Sequence, residues 1–199
     1  MPTPDRTSLE AIVEAGRDIV ESEGPTGLTM QAVAARVGVR PPSLYKRVKN
    51  RDDLIRLITK ATIRDLGDRL AAVEAEAGTG DASGPELDPR RTLADMARAL
   101  RGFAHTRPAG FGLVFAPQTS PGGADVEAMT VAVAPLLRVA ATLAGQEYEL
   151  EAARTVTAWA SGFIAMELAG AFNLGGDVDR AFEFGISRLA DALAARPAN

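Results

Sequence analysis

Apolar residues recur at steps of three and four along this chain, and no segment alternates apolar and polar positions over a strand's length. Leu9, Ile12, Val13, Gly16, Ile19 and Val20 line one face of a first helix, and Gly24-Pro25 stops it. A second face follows at Met30, Val33, Ala34 and Val37. Thr29 stands where a cap belongs, with Leu28 and Val33 spaced as a hydrophobic staple. Gly38 lies four residues after Ala34 and supplies the positive φ of a tight turn. A third helix opens near Pro41 and Pro42, where missing N–H groups cost little. It buries Leu44 and Val48 and shows Ser43, Lys46 and Arg47. A helix, a glycine turn and a short basic helix form a unit that fits a major groove.

The same period continues to the end. Asn50 caps a fourth helix, Asp52 and Asp53 sit in its first turn, and its apolar residues are Leu54, Ile55, Leu57, Ile58, Ile63, Leu66 and Leu70. The run from Ala77 to Pro89 breaks all periodicity and reads as a loop. A fifth helix spans roughly Arg91 to His105. Phe111 to Phe115 is a short apolar segment between prolines, and a helix from about Ala124 to Leu143 contains Pro135, which predicts a kink or a break. Two helices close the chain, near Tyr148–Phe172 and Val178–Ala194. The fold class is therefore all-α, about nine helices: three in an N-terminal helix-turn-helix domain (residues 1–50) and about six in a larger C-terminal domain (residues 51–199). Thr155 to Gly176 carries one charge, Glu167, and approaches membrane-spanning length. Its threonines, Ser161, Asn173 and glycines identify it instead as a helix buried on most sides, so no membrane is expected as a partner.

Charge sharpens the picture. The 199 residues carry a net charge of −4, yet no Asp or Glu lies between Pro25 and Arg51, where Arg36, Arg40, Lys46, Arg47, Lys49 and Arg51 all fall. Residues 1–60 hold 10 basic and 8 acidic side chains, and the other 139 hold 12 and 18. An acidic protein that gathers its cations on one short helix can still bind a polyanion. Hydrophobic content of 46% supplies a core, which aromatic content of only 5% makes mainly aliphatic. One histidine, no cysteine and no glycine-rich phosphate loop leave no nucleophile–base pair, metal cluster or cofactor site, so an enzyme is not expected. The absence of cysteine suits the cytoplasm, and Met-Pro-Thr-Pro-Asp-Arg lacks the apolar core of a signal peptide.

From about Ser8 to Ile58 the chain resembles the TetR family of bacterial transcriptional regulators. The likeness runs through Gly24, Thr29-Met30, Ala34, Gly38-Val39, Ser43-Leu44-Tyr45 and Val48-Lys49-Asn50-Arg51, followed by Leu54. It implies helices at 8–23 and 30–37, a recognition helix at 41–48, and a long fourth helix linking DNA and ligand domains. It also implies that the last two helices pair two copies into a homodimer, which presents two recognition helices to a palindromic double-stranded DNA operator. Carried over by position, Thr29 and Met30 offer backbone amides to a phosphate, Tyr45 and Lys49 contact phosphates, and Arg40, Ser43, Lys46 and Arg47 read base edges. Arg40 is matched to a guanine. Pro41 departs from relatives with a hydrogen-bonding residue there and offers only apolar contact.

The C-terminal portion resembles a TetR subgroup with a Trp…His-Gly motif on its penultimate helix. Here the residues are Trp159, Ser161 and Gly162, then Glu167, with serine in place of the histidine. The resemblance implies a repressor released by a small effector, cytoplasmic and nucleoid-associated when bound to DNA. Phe103, Phe111, Val114, Phe115, Met129, Val133, Leu137, Trp159, Phe163 and Met166 are candidates for a mainly apolar effector pocket. Each also suits a plain core position. Glu167, isolated in an apolar helix, requires a hydroxyl, a water or a cationic ligand as partner. His105 could add a polar contact. An effector-independent architectural DNA-binding protein is the alternative, and the large apolar C-terminal portion argues against it.

Overall fold

The structure is a computed structural model and describes residues 8–78, 88–116 and 125–195. Among these residues it is all-α, with nine α-helices, one 3-10 turn and no strand: α1 Leu9–Gly27, α2 Met30–Val37, α3 Pro41–Leu44, α4 Arg51–Gly78, α5 Pro89–Thr106, α6 Pro108–Val114, α7 Val126–Ala144, α8 Glu149–Leu168 and α9 Val178–Ala194. Most of the loop expected over Ala77–Pro89 lies outside the described residues, as do Pro117 and the expected helix start at Ala124.

The chain divides into two compact units. The first comprises Met1–Asp65 and Arg107–Met129, and the second comprises Leu66–Thr106 and Thr130–Asn199. Helix α4 runs from one into the other. In the first unit the helical stripes converge as anticipated. Ile12, Ile19, Leu28, Val33, Leu44, Leu54 and Ile58 are buried in one cluster, which Leu113 of α6 joins. The stop at Gly24 is visible as a φ of 75° inside α1, which leaves Pro25–Gly27 as a separate short turn. Ser8 and Thr29 accept from the amides of Ala11 and Ala32, capping α1 and α2. Gly38 takes φ 74°, and the amide of Val39 returns to the carbonyl of Ala34, so the turn between α2 and α3 closes on a glycine-dependent cap.

Helix α6 belongs to the first unit because its N-terminus is held there. Both oxygens of the Glu21 carboxylate accept from α6 amides, Ala109 at 3.1 Å and Gly110 at 2.8 Å. Sequence reasoning gave Glu21 no role. A carboxylate that answers amides 88 and 89 positions away leaves no local signature.

In the second unit, Leu93, Phe103, Ile164, Phe182 and Ile186 form the buried centre where α5, α8 and α9 pack. Of the kink or break expected at Pro135, the break does not occur, and α7 is continuous from Val126 to Ala144. It removes one donor, and the carbonyl it releases belongs to Val131, which is 71% exposed, so water can serve that acceptor. Helix α7 is also the one described helix long and apolar enough to cross a membrane. It is tied into the fold, with Ala132 against Gly67 and Arg138 clamped on both oxygens of Glu74. Helix α8 differs from the expectation of burial on most sides. Ala158, Gly162, Ala165, Met166 and Ala169 form an uncovered face, charge-free over three turns.

Candidate nucleic-acid interface

The recognition segment is helical over Pro41–Leu44 and continues as a turn. Arg47 and Val48 donate to the carbonyl of Leu44 at 2.8 and 2.9 Å, so the winding persists for one more turn beyond the helix proper. This is shorter than the expected 41–48. Beyond Leu44 the amides of Arg47 and Val48 share one carbonyl, so the segment closes as a turn before the Asn50 cap. Leu44 and Val48 anchor the inner side. Arg40, Tyr45, Lys46, Arg47 and Lys49 are exposed outward, and Pro41 and Ser43 are half-buried beside them.

At the head of α2 the side chains of Thr29 and Met30 are both engaged with the protein. Thr29 caps Ala32 and Met30 packs on the core, so what they offer a phosphate is backbone amide and helix-end charge. Lys49 is held by its own backbone. Its amide donates to Asp53 at 2.9 Å, while Asn50 accepts from the amide of Asp53 at 2.8 Å. The Lys49 amide, with help from Arg56, keeps the Asp53 carboxyl below its ordinary range.

Arg51 was one of the six cations of the basic stretch, and here the structure revises the surface. Its guanidinium folds back onto the protein, with Nε donating to the carbonyl of Leu28 at 2.8 Å and Nη2 to that of Pro25, while the side chain stays 40% exposed. The sequence alone could not have separated it from Lys49.

The pocket candidates are divided between the units. Phe111 and Phe115 pair in the first at 4.8 Å, and Met129 is also there. Phe103, Val133, Leu137, Trp159, Phe163 and Met166 belong to the second. Trp159 and Phe163 stack with the buried Phe182, and Phe163 also meets Phe172, while Phe103 lies fully buried under the guanidinium of Arg69. Met166 points to the surface.

Glu167 has a protein partner. Arg101, 66 positions earlier, grips both its oxygens and also reaches Asp179 at 2.6 Å, and His105 Nε2 lies 3.2 Å away. Glu167 is only 13% exposed, and the Arg101 guanidinium holds its carboxyl below the ordinary range. These groups line a cleft of about 550 Å³ with Arg98, Gly102 and Glu183. A second cleft of about 360 Å³ lies among Ala144, Tyr148, Ala152, Thr155 and Leu193.

A capped helix, a glycine turn and a cationic second helix on a three-helix core define a helix-turn-helix DNA-binding protein. Known proteins agree. A family model described as bacterial regulatory proteins, tetR family, matches residues 5–58, and one described as tetracyclin repressor-like, C-terminal domain, matches residues 93–189. The chain belongs to the TetR family of transcriptional regulators. It is 29% identical over 198 residues to the HTH-type transcriptional regulator Rv0681 of Mycobacterium tuberculosis, covering 97% of this chain and 84% of that one. The HTH-type transcriptional repressor DrrR1 of Streptomyces coeruleorubidus is 39% identical over 84 residues, 38% of this chain and 31% of its own. Among solved structures, BioQ with its double-stranded DNA operator superposes with a TM-score of 0.62 at 26% identity, over 94% of this chain and 98% of that one. Proteins of this family are non-enzymatic transcription factors that bind duplex DNA.

Proposed function

We propose that this regulator is a homodimeric repressor that binds a palindromic operator through the Arg40–Lys49 surface and is released by a small, mainly apolar effector. The observation that carries the dimer is the uncovered face of α8 and α9. Ala158, Gly162, Ala165, Met166 and Ala169 lie open on α8, and Phe184 on α9 is 64% exposed. A second copy related by a two-fold axis covers that face with its own equivalent. It also places two recognition helices on one side of the duplex, with half-sites about 34–36 Å apart or a multiple of that.

Within the interface, Tyr45 and Lys49 position the protein on phosphates, with the α2 amides of Thr29 and Met30. Arg40, Pro41, Ser43, Lys46 and Arg47 face the bases. The effector is assigned to the second unit, to Phe103, Val133, Leu137, Trp159 and Phe163, while Met166 belongs to the open α8 face. Phe111, Phe115 and Met129 pack in the first unit and are not assigned to it. Release requires that the effector prefer the conformation that does not fit DNA, and a coupling of about 1–3 kcal/mol changes affinity roughly 5–150-fold.

The test begins with light scattering of the purified protein and selection on a pool of randomised 30-bp duplexes. A dimer that recovers an inverted repeat is expected. On the recovered duplex, Lys49→Ala lowers the slope of log K against log salt by about one unit. A strictly monomeric protein that recovers no sequence at about 50 mM salt would overturn the reading.

A further inference from the structure

We infer that Arg51 is a positioning residue for DNA binding and not a phosphate contact, although it lies in the basic stretch. Its guanidinium spans two carbonyls, with Nε on Leu28 at 2.8 Å and Nη2 on Pro25. Pro25 opens the short turn left after α1 breaks at Gly24, and Leu28 is the extended residue that caps its end. The last carbonyls of a helix lack backbone donors and carry its partial negative charge, so a cation placed there is doubly favoured. The planar fork of an arginine can serve two such acceptors at once, which a lysine ammonium cannot do in fixed geometry.

The side chain is 40% exposed, with an acid beside it. Nη1 of Arg51 stands 3.9 Å from the carboxylate of Asp52, so a phosphate approaching this guanidinium meets an acid first. Arg51 is the first residue of α4, and Leu28 immediately precedes Thr29, the cap of α2. One side chain therefore ties the end of α1, the start of α2 and the start of α4. Beside it, the Asn50–Asp53 cap fixes the backbone of Lys49. Arg51 thus sets where the phosphate-facing amides of α2 stand relative to Lys49.

The inference rests on the DNA-binding reading, and the test separates the two. Arg51→Met and Arg51→Lys are compared with the wild-type protein on the duplex that the wild type selects from a randomised pool, by anisotropy between about 50 and 200 mM salt. Amide hydrogen exchange is measured without DNA at Ala32 and Val33, whose amides are held by the side chain and carbonyl of Thr29. Both variants are expected to bind about tenfold more weakly, the scale of one charge-assisted hydrogen bond, with the salt slope unchanged and with faster exchange at Ala32 and Val33. A slope lowered by about 0.9 in Arg51→Met and restored in Arg51→Lys, with exchange unaltered, makes Arg51 a phosphate contact and overturns the inference. Should Arg51→Met fail to fold, Arg51→Lys decides: faster exchange supports the tie and unchanged exchange refutes it. Should the wild type select no duplex, the DNA-binding reading falls, while exchange in the DNA-free protein still judges the clamp.

Discussion

Two glycines in helices of the second unit isolate the subunit contact. A Cβ built at Gly102 in α5 or at Gly162 in α8 meets no atom within 4 Å in the single chain. Alanine at either site therefore gains helix propensity, about 0.8–1.0 kcal/mol, without overlap. For a chain of this size that raises the melting temperature by roughly 2–4 °C. The sites differ if α8 packs on a second copy, because Gly162 lies on the uncovered face among Ala158, Ala165 and Met166. Helices that meet over small residues stand about 8 Å apart, and an extra methyl there costs roughly 1–3 kcal/mol. Two-fold symmetry counts it twice. The propensity gain applies to monomer and dimer alike, so it does not change association, whereas the overlap weakens it by about 2–6 kcal/mol, at least some thirtyfold. Sedimentation velocity across a dilution series reads this directly. Gly102→Ala should be more stable and equally dimeric, while Gly162→Ala should dissociate at much higher concentration. If Gly162→Ala matches Gly102→Ala in both respects, the α8 face is not the contact and the dimer reading loses its support.

Two further outcomes follow from the sites themselves. Arg40→Ala should cost about 1–3 kcal/mol on the selected operator and relax one base position, and a selection logo identical to that of the wild type would remove Arg40 from base readout. Glu167→Gln should lower stability at neutral pH by about 1–3 kcal/mol, because it leaves Arg101 with a weaker acceptor in a poorly exposed place. The folded carboxyl of Glu167 lies below its ordinary value near 4.5, so its contribution is complete above that value and is lost as pH falls through the lower folded value. Urea midpoints between pH 7 and 3 should therefore converge for wild type and variant on the acid side. A constant gap down to pH 3 would show that the stabilisation does not come from the ionised carboxylate of Glu167.

The sequence alone determined what depends on residues within about four positions of one another. Helical period, the caps at Thr29 and Asn50, the breaks at Gly24 and Gly38, and the acid-free stretch that forms the cationic surface were all readable, because hydrogen bonds of one turn and φ preferences are local. Only the tertiary structure decided that Arg51, one of six neighbouring cations, bonds back to the protein, since its orientation depends on carbonyls 23 and 26 residues away. It likewise supplied Arg101 to a glutamate that looked isolated, docked α6 through Glu21, and let α7 run on through Pro135. A charge can find its partner across the whole chain once the helices pack, and no spacing in the sequence records that distance.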